Sequence, residues 1–399
     1  MSIETLTSII LKQIEGITKR QHDFFCHLMR LWLILPQRVN FLAMGRYGVF
    51  NEATYRCRFQ MPFDFLSFNM LLANRYTQEE GRTITFDPSY LSKSGRHTFG
   101  VGRFWSGCAG QVKKGLELSA FSCVCPRAKT AFHLYARQTA PQEGETLMAF
   151  YTRLLEEVGG RLLGLSKLLC VDAYFSKIGY VEKARELGFT VVSRLRGDAI
   201  LLFPYQGPPR KGRGRPKKYD GKVGMEALDL QRFDYFETVD GIKAYHQVLY
   251  VRSLKQLCRV VIVPQTDNKG KAVRPKVFFA TDPALTGEQV LATYRMRFQC
   301  EFLYRDAKQA GLEHAQCRGR KKLHFHFNAC LTAVSLARVA HHSKEKKAEG
   351  APFSIRSVKT RYYNQYLLEL FISMFGIRAE TEENSNKIRQ LHAIGSIAA

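Results

Sequence analysis

The chain has 399 residues, of which 45% are hydrophobic, 12% aromatic and 24% charged. That suits a globular protein of two to three domains, at roughly 150 residues each, and excludes wholesale disorder, collagen and coiled-coil arrays. Lys and Arg number 60 against 35 Asp and Glu, a net charge of +25, which a chain tolerates best beside a polyanion such as nucleic acid.

No apolar run approaches the roughly 18 residues of a membrane span. No long basic amphipathic helix suits an anionic membrane surface. The opening MSIETLTSIILKQIEG lacks the basic start and cleavage site of a secretory signal, so a cytoplasmic, nucleoid-associated protein is expected.

Residues 1–78 are predicted as short helices, because apolar residues recur at three and four in SIETLTSIILKQIEG, HDFFCHLMRLWLIL and PFDFLSFNMLLANRY. The stretch between them carries Arg38, Arg46, Arg56 and Arg58, with Asn51 as a helix cap. The region reads as a helical DNA-binding domain, or as a helical bundle packed on the next domain.

The pattern changes over 79–197. TITFD (83–87), GLELSAFSCVC (115–125) and TAFHLYARQ (130–138) are predicted strands, and 146–159 a helix. KLLCVD (167–172) reads as a central strand covered on both faces, followed by a helix ending at Gly188 and the strand FTVVSRLR. This order predicts a mixed α/β domain.

Residues 198–284 interrupt it with a flexible basic loop, GPPRKGRGRPKKYDGK, and four predicted strands. They form a β-rich insertion. Over 285–345, Thr286-Gly-Glu-Gln289 fits a capping box, Gly311 is a natural stop, and a second helix covers 323–342. Over 346–399 a helix is expected at 353–375, then a polar, frayed tail.

The ten cysteines are scattered without a C-x-x-C pair, which predicts reduced, mostly buried thiols. Cys317, His324, His326 and Cys330 form the best zinc candidate. It is a poor one, since residues i and i+2 on a helix point about 200° apart.

Asp87 is expected to close the first strand, before Pro88, and Asp172 to close the central one. Ligands collect at the carboxyl ends of such strands. Two neighbouring carboxylates there repel each other unless a cation intervenes, and divalent metals with oxygen ligands are the obvious answer.

The third element is TGEQVLATYRMRFQCEFLYRDAKQAG, in which Tyr294, Arg297, Glu301 and Lys308 are spaced by three, four and seven. On one continuous helix at about 100° per residue they share an arc of about 60°. A carboxylate between a guanidinium and an ammonium suits a metal-bound phosphodiester. A solvated charged face is the alternative. Asp306, about 140° away from Glu301, is expected to stay outside the site.

The spacing Y-x2-R-x3-E-x6-K resembles the signature of the DDE transposases of bacterial insertion sequences, of the insertion-sequence-four type. ITFDPSYLSKSG and LLCVDAYFSK resemble that family's two Asp-bearing strands, and the likeness runs from about residue 80 to 342. It implies an α/β, RNase H-like mixed-sheet core interrupted by the β-rich insertion, between helical N- and C-terminal regions.

The resemblance further implies that Asp87, Asp172 and Glu301 are catalytic and bind Mg²⁺, with Mn²⁺ substituting, and that Tyr294, Arg297 and Lys308 serve DNA. The chemistry is then two-metal hydrolysis at a transposon end, followed by attack of the freed 3′-hydroxyl on target DNA. No Ser-His-Asp or Cys-His arrangement and no P-loop competes with it. Partners are double-stranded DNA (terminal inverted repeats and target) and a second copy when two ends are synapsed.

Phe298 stands where the family often has Trp. Some relatives stack a flipped base on an insertion-domain Trp. Here the two tryptophans, Trp32 and Trp105, lie elsewhere, leaving Phe233, Tyr235, Phe236 or Tyr245 for that task. In the loop, Arg210, Lys211, Arg213, Arg215, Lys217 and Lys218 cluster in and around Gly-Arg-Gly-Arg-Pro, which resembles an AT-hook core. Minor-groove reading and sequence-independent phosphate binding both suit it, and a merely solvated loop is the alternative. The rival functions are an RNase H-like nuclease without strand transfer and a non-catalytic DNA-binding protein derived from a transposase.

Overall fold

Five helices fill the first 77 residues: α1 (Ile3–Leu11), α2 (Lys19–Ile34), α3 (Phe41–Tyr47), α4 (Glu52–Arg58) and α5 (Phe65–Tyr76). Each starts after a residue whose side chain accepts a backbone N–H of its first turn: Ser2, Thr18, Asn40, Asn51 and Asp64. Such caps satisfy donors that the helix cannot. The computed structural model describes residues 2–77, 81–208, 216–225, 228–344, 353–376 and 382–396.

The next elements are β1 (Thr83–Leu91), β2 (Gly102–Ser106), β3 (Gln111–Cys125), β4 (Thr130–Gln138), α6 (Leu147–Leu162), β5 (Leu168–Val171), α7 (Ile178–Glu186) and β6 (Thr190–Leu195). Six short or medium strands come after them: β7 (Leu201–Pro204), β8 (Tyr219–Lys222), β9 (Asp234–Glu237), β10 (Lys243–Val251), β11 (Gln256–Thr266) and β12 (Ala272–Ala280). The chain ends with α8 (Gly287–Met296), α9 (Gln299–Ala310), α10 (Arg320–Lys344), α11 (Ile355–Phe375) and α12 (Glu382–Ala393).

Among the described residues the twelve strands belong to one mixed sheet, in the order β2-β3-β1-β5-β6-β12-β11-β10-β7-β8, with β4 also on β3 and β9 also on β10. β1, β5 and β6 run parallel at its centre; α7 joins β5 to β6, and β2, β3, β4 and α6 lie between β1 and β5. Every residue of β5 after Leu168 is buried, as expected of a strand covered on both faces. Residues 201–280 do not form a detached β unit. β12 returns antiparallel to β6, pairing Val277 with Leu195 and Ala280 with Val192, so the added strands extend the central sheet.

α10 packs across β4 and the N-terminal helices. Asn328 docks it: its Oδ1 accepts from Ala136 N and its Nδ2 donates to Ala136 O, both at 2.9 Å. Trp32 of α2 is fully buried and donates from Nε1 to Ala310 O at 3.0 Å. One apolar core therefore runs from α1 and α2 through α10 into the sheet.

Three expectations are corrected. Thr286–Gly311 is not one helix, because α8 and α9 are separated at Arg297 and Phe298. β1 does not close at Asp87 but continues through Pro88 to Leu91, since β3 pairs with it over that whole length. The tail beyond 375 is not simply frayed: α12 forms, and Asn364 of α11 donates to Ile394 O just past its end at 2.8 Å. Among the described residues no helix is long and apolar enough to cross a membrane.

Candidate active site

Asp87 and Asp172 meet because of strand register. Parallel β1 and β5 pair Ile84 with Leu169, Thr85 with Cys170 and Phe86 with Val171. One step further along each strand stand the two aspartates. β5 stops there, and β1 goes on along an edge that β5 no longer covers. Pro88, which has no N–H to give, is tolerated at such an edge.

Asp172 is held from both sides. Its Oδ1 accepts Tyr174 N at 2.8 Å, capping the 3₁₀ turn Ala173–Phe175. Its carbonyl accepts the Ser193 hydroxyl of β6 at 2.8 Å.

Glu301 arrives from the other side of the sequence on α9. The backbone between α8 and α9 tightens from α-type to 3₁₀-type bonding: Arg297 N bonds Tyr294 O, Cys300 N bonds Arg297 O and Glu301 N bonds Phe298 O, at 3.0–3.1 Å. No glycine or proline causes this. Such a stretch winds about 120° per residue, so the angular reckoning for one continuous helix fails across it.

One continuous-helix arc therefore does not describe the four residues, although Arg297 still links two of them, lying 5.9 Å from the Tyr294 ring centroid and bonding Glu301. Tyr294 packs its ring on Phe278, with centroids 4.8 Å apart. Lys308 turns to Glu313, 3.9 Å away. Arg297 alone reaches the acids, with Nη1 3.4 Å from Asp87 Oδ1 and Nη2 3.0 Å from Glu301 Oε1. Asp306 stays out, buried and paired with Arg338 at 2.7 Å.

The electrostatics reflect this crowding. Burial pushes the Asp87 carboxyl up to about 7; Arg297 opposes the rise, while Asp172, Glu301 and Glu117 add to it. Burial works against the charge on Arg297, but Asp87 and Glu301 help to outweigh it, and the Arg297 Nε is buried without a hydrogen-bond partner.

The donor set matches a hard divalent cation in kind, since all three acids offer oxygen and their repulsion is what a cation relieves. Among the described residues, however, no group of three or more His, Cys, Asp or Glu is set to hold a metal ion. Arg297 occupies the bridging role between Asp87 and Glu301. The Cys317, His324, His326, Cys330 set is likewise no site. His326 bonds Gly311 O at 3.0 Å and the Cys330 thiol faces Ala307 O at 3.4 Å.

The family described as the transposase DDE domain matches residues 132–336, just over half of the chain. The chain belongs to the transposase DDE-domain family. The matched span contains Asp172 and Glu301, with Asp87 upstream of it. Among solved structures, the chain is similar to the cryo-EM structure of a piggyBac transposase synaptic complex with hairpin DNA. The identity is 12% over 98% of this chain and 81% of that one, with a TM-score of 0.38, too distant to carry any residue across. No curated protein matches the chain.

Two groups beside the acids of this DDE-domain chain carry no motif. Tyr304, one turn after Glu301, points its hydroxyl at Asp87 O (2.7 Å) and Leu118 O (3.0 Å), fastening α9 to β1 and β3. Glu117 of β3 is buried and accepts the Tyr151 hydroxyl; burial raises its carboxyl above the ordinary range. The i+3 spacing of Tyr304 from Glu301 was the only available sign, and Glu117 sat unmarked inside a strand.

Of the aromatics considered for base stacking, Phe233 and Phe236 are core residues, which corrects that expectation for them. Tyr235 is 51% exposed, with its ring 5.4 Å from that of Tyr245. Phe298, at the α8–α9 junction, is 50% exposed. Arg213 and Arg215 lie outside the described residues. Lys217 bonds Asp220 at 2.8 Å and covers the Tyr205 ring, while Lys218 is exposed.

Proposed function

We propose that this chain is a metal-dependent DNA transposase that cleaves and joins the ends of its own insertion sequence, acting from an RNase H-like core. One observation carries the reading. Two aspartates stand at adjoining ends of central parallel strands, with Glu301 tied to the same spot through Arg297. Membership of the transposase DDE-domain family supports it.

Asp87, Asp172 and Glu301 are the residues that would hold Mg²⁺, or Mn²⁺ in its place. When bound, such ions supply Lewis-acid stabilisation to the oxygens entering and leaving phosphorus. The chain's own residues do the positioning. Ser193 and Tyr174 N orient Asp172. Tyr304 sets the depth of α9 against Asp87. Arg297 neutralises the acids in the free protein; releasing one of them frees a planar guanidinium to take a phosphate oxygen.

The DNA partners are double-stranded terminal repeats and target DNA. Tyr294, Lys308, Lys218 and the basic residues Arg213, Arg215 and Lys217 serve its backbone. Two copies meet when two ends are synapsed, in a nucleoid-associated complex.

The test uses purified protein, Mg²⁺ and a labelled duplex carrying the element's ends. Alanine at Asp87, Asp172 or Glu301 is expected to lower cleavage and strand transfer by at least about 10³-fold while end binding persists. Cut ends without joined product would favour the nuclease reading. Full activity in Glu301→Ala would overturn the assignment of the acids.

A further inference from the structure

The sequence between α9 and α10 ends in Arg318-Gly-Arg320-Lys321-Lys322. These cations sit at the start of α10, whose first turn holds no acid. Positive side chains are disfavoured there, because the helix dipole already puts partial positive charge at its N-terminus. Among the described residues, none of the four pairs with a carboxylate. Arg320 lies over the Phe99 ring, 5.6 Å from its centroid. Arg318, Arg320 and Lys321 are exposed.

The rest of α10 is buried along most of its length, so these side chains stand on a fixed support. They line a cleft of about 650 Å³ with Arg56 of α4 facing them. Its lining holds five cations and no acid, and of the five only Arg56 is paired, with Glu52 of its own helix. Arg320 and Lys321 also line a second cleft, of about 330 Å³, on the other side. Like charges gathered on a rigid concave surface repel one another and are relieved by a polyanion.

The clefts also have a fixed relation to the acids. Past Asp87, β1 runs to Leu91, and the next two residues are clamped to the segment that leads into α10. Ser92 N donates to Glu313 Oε1 at 3.3 Å, and Lys93 Nζ donates to Ala315 O. Phe99 N donates to Arg318 O at 2.9 Å. From Asp87 to Lys93 is six residues, the first four of them in β1, which span at most roughly 20 Å. That length equals about six base pairs at 3.4 Å each.

We propose that the cleft formed by Arg318, Arg320, Lys321 and Lys322 with Arg56 docks the sugar–phosphate backbone of duplex DNA, about six base pairs from the phosphate that meets the acid cluster. The anion-docking part stands on the cleft alone. The spacing rests on the transposase reading, since it counts from the position of the cut.

The two parts are tested separately with the full-length protein. For the first, binding of a 40-base-pair duplex of arbitrary sequence is followed by fluorescence anisotropy as KCl is raised. Arg318→Ala, Lys321→Ala and Lys322→Ala together are expected to make the slope of log K against log salt shallower by about 2.7, since each phosphate contact contributes about 0.9. Affinity at low salt should drop at least tenfold. The charge-keeping set Arg318→Lys, Lys321→Arg and Lys322→Arg should bind as the wild type does. Should the triple alanine protein fail to fold, Lys321→Ala alone should still change the slope by about 0.9.

A wild-type slope in the alanine proteins would overturn the proposal, as would a wild type that ignores the duplex at low salt. For the second part, phosphate ethylation interference is mapped on a duplex carrying an element end. The phosphates whose ethylation matters in the wild type but not in the triple alanine protein should lie about six base pairs from the cut. Sensitive phosphates elsewhere would overturn the spacing. Absence of any cut would count against the transposase reading while leaving the salt result intact.

Discussion

Arg297 gives the acid cluster its character in the free protein. One guanidinium faces Asp87 and Glu301, and a third acid, Asp172, stands at the end of the adjoining strand. Such crowding is a cost that folding bears for the sake of the site. Replacing Asp87 by Asn removes one charge and keeps the shape, so it relieves the repulsion from Asp172, Glu301 and Glu117. Asp87→Asn is therefore expected to abolish cleavage and yet melt higher than the wild type in chelator at pH 8. A gain of about 1–2 kcal/mol corresponds to roughly 1–2 °C for a chain of this size. Differential scanning calorimetry reads the outcome. A melting point below that of the wild type would mean that the Arg297 ion pair outweighs the crowding.

At the scale of elements, the site hangs on how α8 is seated. Gly287 opens that helix against β9 and β10. A Cβ there would come within 2.5 Å of the His246 ring and 2.7 Å of Phe236. Overpacking of this kind costs about 1–3 kcal/mol, and the shift it forces moves Arg297 at the other end of α8. Gly287→Ala is expected to lower both melting point and cleavage rate, the latter more than tenfold. Gly179→Ala in α7, where a Cβ meets nothing within 4 Å, should instead stabilise by about 0.4–1 kcal/mol and leave cleavage alone. Equal effects at both glycines would show that the seating of α8 is not what matters.

These same elements show what local sequence could disclose. Both ends of the α8–α9 region were readable, because the Thr286–Gln289 capping box and the left-handed Gly311 are local signals. The break between the helices was not, since it comes from tertiary contacts: Tyr294 on Phe278, and Arg297 between two acids. The two aspartates were readable from apolar runs that end in Asp. Their adjacency needed the β1–β5 register, and the continuation of β1 through Pro88 needed its partner β3. Strands such as Gly102–Ser106 and Tyr219–Lys222 carry no apolar alternation. Only pairing with a neighbour makes them strands.

On the scale of the whole molecule, neutral histidines lie along the seam that joins the N-terminal helices, α10 and β4 (His133, His324 and His326) and among the N-terminal helices themselves (His27). Burial lowers His27, His324 and His326 to about 4 and His133 to about 3. His27 bonds the Tyr55 hydroxyl at 2.6 Å, and His133 bonds Asn328 Oδ1 at 3.0 Å. In the unfolded chain each titrates near 6.5. Between about 4 and 6.5 the unfolded state therefore binds more protons than the folded one, and stability rises with pH across that window.

Stability is thus intact above about 6.5 and is lost as pH falls towards 4. At pH 5 each histidine costs about 1–2 kcal/mol, so four together approach the whole stability of an ordinary domain. The added protons also worsen the self-repulsion of a chain that carries +25 at pH 7. The urea midpoint is expected to fall steeply from pH 7.5 to 5 at constant salt. His326→Gln, which keeps a donor for Gly311 O, should flatten that fall by about a quarter. Hydrogen exchange at pH 5 should show α1, α2 and α10 losing protection before the central strands β1 and β5, because the protonated groups lie along that seam. A midpoint independent of pH over this range would mean that the histidines are not held neutral.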